Sequence, residues 1–229
     1  MTLIEISQQL LKASKSANNI TSLLNHLEKI SISQLEIELN TDAKRKAFWI
    51  NIYNAFAIIY LKPNPNIILK SISRKRFFNT KYIQMDECFF SLNDVEHQIL
   101  RKSKLWWSKG YLNQLFVTTC FKKLRVNKFD ARIHFALNCG GLGCPPIRFY
   151  DAKTINEQLD TATQAFLYSE TSMNETKNEV KISRLFNWYI GDFGGSKGII
   201  TLLKKYNIVN EKENPKIIYS AYNWEPWIK

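Results

Sequence analysis

A chain of 229 residues with 45% hydrophobic and 13% aromatic content can bury one sizeable core, and its length fits one domain or one domain with an extension. Glycine (8) and proline (6) are scarce, which excludes low-complexity architectures; disorder is expected at the ends and around residues 170–178. The formal net charge of +12 raises a polyanionic partner, but the basic residues fall in short groups such as Lys44-Arg45-Lys46, Arg74-Lys75-Arg76, Arg101-Lys102 and Lys122-Lys123, none within a nucleic-acid motif. A solvated surface is therefore expected, and nucleic acid is not.

In chain order, Leu3, Ile6 and Leu10, then Leu23, Leu24, Leu27 and Ile30, recur at helical spacing with a break at Asn18-Asn19. Residues 1–40 are read as an amphipathic helical extension, able to pack on the rest or to take a protein partner, and 41–229 as the domain. Met1–Glu5 carries an acid and no basic region, unlike an uncleaved signal peptide. A removed signal would leave no trace; the cytoplasm is the expected compartment. Thr41 or Asp42 can cap a helix through residues 47–58 that is apolar on nearly every face and so must be central. Its apolar run of residues 55–61 is far short of the roughly 20 needed to span a bilayer. On that helix Ala47, Asn51, Asn54 and Ile58 share a stripe, which carries two amides into the interior, where they need partners.

Residues 81–84 and 88–90 predict a hairpin around Met85-Asp86-Glu87. Ser91 with Asp94 makes a capping-box-like start for a helix over 92–101, whose apolar arc carries Glu96 at its middle and His97 at its edge. Further on come a helix or strand at 132–137, a helix at 154–167, a strand at 179–182, helices at 185–189 and 199–206, and a strand at 216–219. The expected class is α+β: a mainly helical single domain with a few short antiparallel strands and a central buried helix.

Seven of the eight glycines fall in two clusters, Gly140-Gly141-Gly143 and Gly191-Gly194-Gly195-Gly198. The second lacks phosphate-loop spacing and is read as turn and cap geometry. The first lies within residues 134–146, which bring an imidazole and two thiols together. Four cysteines are too few for a disulfide scaffold, so free thiols are the default, with Cys88 and Cys120 packed in apolar surroundings. Cys144 is the candidate nucleophile, at an accessible turn, with Cys139 pointing into the core. His134 is the candidate base, Glu96 or an amide (Asn51, Asn54) the orienting group, and the Gly140-Gly141 backbone the oxyanion donor. Arg132 is the alternative partner for Glu96. These polar groups are expected to converge on one buried cluster. A metal site from Cys139, Cys144, His134 and His97 is a rival, though with a single cysteine pair no structural zinc is expected. A Cys139–Cys144 disulfide is a third reading, disfavoured by the expected compartment.

Residues 47–55, 91–97, 132–140 with Cys144-Pro145-Pro146, and Phe186-Asn187-Trp188-Tyr189 before Asp192-Phe193 resemble, in order, the signature segments of the domain of unknown function 547 family, and Tyr222-Asn223-Trp224 is similar to its usual ending. Gly143 departs from the family's pattern, where serine more often precedes the second cysteine, so no hydroxyl role is carried to that position. The resemblance supplies no reaction and no cofactor. The reading is a cysteine-dependent hydrolase or acyl transferase acting on a small-molecule or peptide substrate. A non-enzymatic interaction or scaffold module braced by a structural His/Cys loop is the alternative.

Overall fold

A computed structural model describes residues 1–16 and 20–228; the Asn18-Asn19 break lies outside the described residues. Helix α1 (Leu3–Lys15) starts at a capping box in which Thr2 and Glu5 satisfy each other's backbone N–H. Helices α2 (Thr21–Glu28) and α3 (Ile32–Glu38) lead to the central α4 (Asp42–Leu61). Thr41 caps α4 by accepting the Lys44 N–H at 3.3 Å, and every residue from 46 to 58 is buried. Leu3, Ile6, Leu10 and Leu11 of α1 are buried in the same core as α4, so the apolar face that could have taken a partner is spent inside the fold.

A 3-10 turn (Pro65–Ile68) and α5 (Ser71–Asn79) follow; the basic run of α5 hides its helical periodicity in the sequence. Strands β1 (Ile83–Met85) and β2 (Cys88–Phe90) form the expected hairpin, Ile83 opposite Phe90 and Met85 opposite Cys88. Ser91 and Asp94 make the capping pair, but the segment they open, Asp94–Leu100, is π-helical rather than α-helical. Helix α6 (Thr119–Leu124), a 3-10 turn (Ala131–Phe135) and α7 (Ile155–Glu170) come next.

The second sheet corrects two expectations. Strand β3 (Ser172–Asn174) pairs antiparallel with β4 (Glu179–Ile182), so residues 170–178 are an ordered hairpin. Strand β5 (Lys216–Tyr219) then joins β4 in parallel, with Val180 opposite Ile217, because α8 (Leu185–Trp188) and α9 (Gly195–Lys205) lie in the connection and return the chain to the same end. Gly194, with φ +80°, caps α9, the turn-and-cap role expected of its cluster. The class is α+β.

Apolar side chains form two clusters, one around α1 and α4 that reaches from Leu3 to Ile228, the other around α7, α8 and α9. The 131–135 turn spans their boundary: Ile133 belongs to the first and Phe135 to the second. His134 therefore sits at the seam. No helix among the described residues is long and apolar enough to cross a membrane.

Candidate active site

His134 is held from the far side of the sequence. Its Nε2 lies 2.8 Å from Asp192 Oδ2, and its ring stacks on Tyr189 at 3.9 Å. Asp130 sets the turn: it accepts the Arg132 N–H and is itself paired with Lys46 and Arg132. The Asp192 side chain is 0% exposed and also meets the buried Arg101, whose Nε donates to Oδ2 at 2.7 Å. Lys104 Nζ lies 3.0 Å from Oδ1 as an ion pair without hydrogen-bond geometry, and donates to the Gly110 carbonyl.

These neighbours fix protonation. Burial alone would raise the Asp192 carboxyl, but His134 and Arg101 hold it far below the usual carboxylate range. Burial lowers the His134 imidazole, with the Asp192 bond opposing, so the ring is neutral near pH 7. An ionised carboxylate can only accept, so Nε2 carries the proton and Nδ1 is left as the basic lone pair. Nδ1 makes no hydrogen bond among the described residues.

The π-helix supplies the next layer. Its wide turn closes with the Arg101 N–H on the Glu96 carbonyl at 2.8 Å, and places His97 Nδ1 2.9 Å from Arg101 Nη1. Burial, with Arg101 adding, lowers His97 to about 4, so His97 is neutral and accepts from the guanidinium. Glu96 Oε1 is 3.6 Å from the same nitrogen, too far for a hydrogen bond. Burial would raise Glu96, but His97, His134, Arg101 and a bond from Tyr189 bring it below its ordinary value.

A cavity of about 370 Å³ opens on this cluster. Glu96, His134, Cys139, Tyr53, Tyr189 and Tyr222 lie in its wall, with Trp106, Trp188 and Trp224 and the basic Arg74 and Lys75. Burial pushes Tyr53, Tyr189 and Tyr222 above the ordinary phenol range, so all three remain donors. Cys139 and Cys144 are joined as a disulfide, Cα–Cα 6.2 Å, with Tyr222 Oη 3.1 and 3.0 Å from the two sulfurs. Cys144 faces a different cavity, of about 450 Å³, lined by Ile58, Leu142, Ile147 and Trp227.

The family described as "Protein of unknown function, DUF547" matches residues 37–167. The chain belongs to this family. No curated protein and no solved structure matches the chain. The DUF547 match holds Glu96, His97, Arg101, His134 and both loop cysteines; Asp192, Tyr189 and Tyr222 lie beyond it.

Within the DUF547 chain the residues expected to converge divide into two groups. Glu96 and His134 share the cavity. Asn51 and Asn54 do not: Asn51 pairs with both backbone groups of Tyr150 at 2.8 and 2.9 Å, and Asn54 donates to the Ala136 carbonyl and accepts the Asn138 N–H, each at 2.9 Å. They clamp the chain on either side of the loop, as buried amides must be satisfied. Asn138 continues the brace, accepting from Gly140 N–H and Trp227 Nε1 and donating to the Pro145 carbonyl. Gly140 N–H is thereby unavailable as an oxyanion donor, and Gly141 lies against the tail at Asn223 and Trp224, in the wall of the other cavity.

Three further corrections concern partners. The group that orients His134 is Asp192 rather than Glu96, which makes no hydrogen bond to His134 and lies 3.6 Å from His97 Nδ1. Arg132 pairs with Asp130 and Asp160, so it is no partner for Glu96. Cys139 and Cys144 are paired rather than free, and Cys139 is the sulfur that shares a cavity with His134; Cys88 and Cys120 are free, their sulfurs 3.4 Å apart. Among the described residues no group of three His, Cys, Asp or Glu side chains is placed to hold a metal ion.

Proposed function

We propose that this DUF547 chain is a cysteine-dependent hydrolase or acyl transferase, with Cys139 as nucleophile, His134 as general base and Asp192 as the residue that positions it. The Cys139–Cys144 bond keeps the site in reserve until a dithiol reduces it. One observation carries the reading: a histidine whose Nε2 is committed to a buried carboxylate, and whose other nitrogen has no hydrogen bond among the described residues, lines the same cavity as Cys139.

The reductant supplies two electrons and two protons and leaves two thiols. The Cys139 thiol then gives its proton to His134 Nδ1 as sulfur attacks an acyl carbon. A carbon–sulfur bond forms, the bond to the leaving alcohol or amine breaks, and the leaving group takes the proton from His134. Water, deprotonated by His134, hydrolyses the thioester and restores the thiol. Tyr222 Oη, which stays protonated 3.1 Å from the Cys139 sulfur, is the donor placed to hold the oxyanion. Three tryptophans suit an apolar or aromatic acyl group, and Arg74 and Lys75 favour an anionic substituent.

Hydrolysis of a chromogenic aryl ester tests this. The reduced protein should be active and the oxidised protein inactive. Cys139→Ser should lower the rate by about a thousandfold or more, and Cys144→Ala should be active without reduction. Activity that ignores oxidation state, or survives Cys139→Ser, would overturn the reading.

A further inference from the structure

Between the π-helix and α6 the chain exposes six large apolar side chains within 11 residues: Trp106, Trp107, Tyr111, Leu112, and Leu115 and Phe116 at 90% and 88% exposure. Their backbone is ordered. Lys104 and Asn113 form an antiparallel bridge, Leu105 N–H donates to the Leu112 carbonyl at 2.9 Å, and Gln114 N–H donates to the Ser103 carbonyl at 2.7 Å. A formed lobe that presents this much apolar surface marks a contact with a partner.

Charge identifies the partner. Residues 43–85 and 97–129 contain no acidic residue, and although Lys46, Arg101 and Lys104 are spent on Asp130 and Asp192, Lys75, Arg76 and Lys109 remain exposed. The two stretches meet at the lobe, where Lys75 Nζ lies 5.5 Å from the centre of the Trp106 ring. Ile72, 87% exposed, stands one turn before Lys75 and Arg76 on α5, and Lys109 is exposed within the lobe itself. Indoles and a phenol beside leucines, flanked by lysine and arginine, are the composition that enters a headgroup layer. A single-stranded nucleic acid would call for stacking aromatics, and the most exposed member here is a leucine.

We infer that the 105–116 lobe, together with Ile72, Lys75 and Arg76, docks the protein on an anionic lipid bilayer. Trp106 belongs both to the lobe and to the wall of the His134 cavity, so docking sets the cavity at the lipid surface. The lobe also bears on the site from below: Gly110 packs directly on Asp192, and Gly191 N–H donates to the Lys109 carbonyl at 2.8 Å. The inference does not depend on the cysteine chemistry proposed above.

Vesicle co-sedimentation tests it, with phosphatidylcholine alone against an equal mixture with phosphatidylglycerol. The full chain should partition onto the mixed vesicles, less so as salt is raised. Leu115→Ser with Phe116→Ser should lower that partition about tenfold or more, with an unchanged melting temperature because both positions are exposed. Lys75→Glu with Arg76→Glu should lower it comparably. No preference for the anionic mixture, or full partition by the Leu115/Phe116 variant, would overturn the inference. So would tighter binding to a single-stranded oligonucleotide than to vesicles, or a dimer in solution that the same variant abolishes.

Discussion

Arg101, Lys104 and His134 pack together on Asp192, the one carboxylate that all three touch. Asp192→Asn would leave the Arg101 guanidinium, 0% exposed, without its counter-charge, at a cost of about 3 kcal/mol or more in urea unfolding. It would also let Nδ1 take the proton, removing the base while the ring stays in place. A variant as stable as the parent would contradict the charge balance described. His134 and the loop cysteines stood out in the sequence because a glycine cluster surrounds them, but their polar partners did not. Asp192 is 58 residues from His134, and no local period links them. Its neighbourhood, Tyr189 to Phe193, is legible in the sequence as the end of a helix, turn geometry at Gly191 and a family-like segment, none of which gives the carboxylate a role. The expected free thiols came from a compartment argument, which says nothing about two sulfurs that one tight loop brings together.

At the level of elements, the caps and apolar runs announced α1, α4, the β1–β2 hairpin and α7, because those elements bury a continuous face. The short helices α3, α5 and α6 and the lobe at 105–116 have no such stripe and were missed. The π-helix was read with a period of 3.6, which placed Glu96 and His97 on the correct side but could not give the wide turn that brings Arg101 onto both His97 and Asp192. That element sets an acid limit. His97 titrates at about 4 in the fold against 6.5 in the open chain, so between those values only the unfolded chain holds the proton and stability rises with pH. The contribution is complete above about pH 6.5 and is lost as pH falls towards 4. His134, also lowered, acts in the same direction. Unfolding free energy should be about 2 kcal/mol lower at pH 5 than at pH 7, and His97→Gln should flatten but not abolish that slope. A profile flat over this range would show that neither imidazole is held neutral.

In the whole molecule, α1 shares one apolar cluster with α4, the 62–68 connection and the C-terminal Ile228. The boundary drawn near residue 40 from sequence followed a change of pattern, and pattern does not reveal that Leu10 and Leu11 are 0% exposed. Leu10→Ala should cost about 3 kcal/mol, and a chain lacking residues 1–40 should lose cooperative unfolding. A truncated chain that melts sharply would make residues 1–40 a true appendage. Both clusters meet at the 131–135 turn, so the whole fold bears on where His134 points and hence on its proposed pairing with Cys139. The alkylation rate of Cys139 by iodoacetamide at neutral pH is the most direct measure of that pairing, taken in a Cys144→Ala background where the sulfur cannot be paired. His134→Gln, introduced into that background and verified as folded by its melting curve, should slow this alkylation about a hundredfold. Equal rates with and without the imidazole would contradict the pairing.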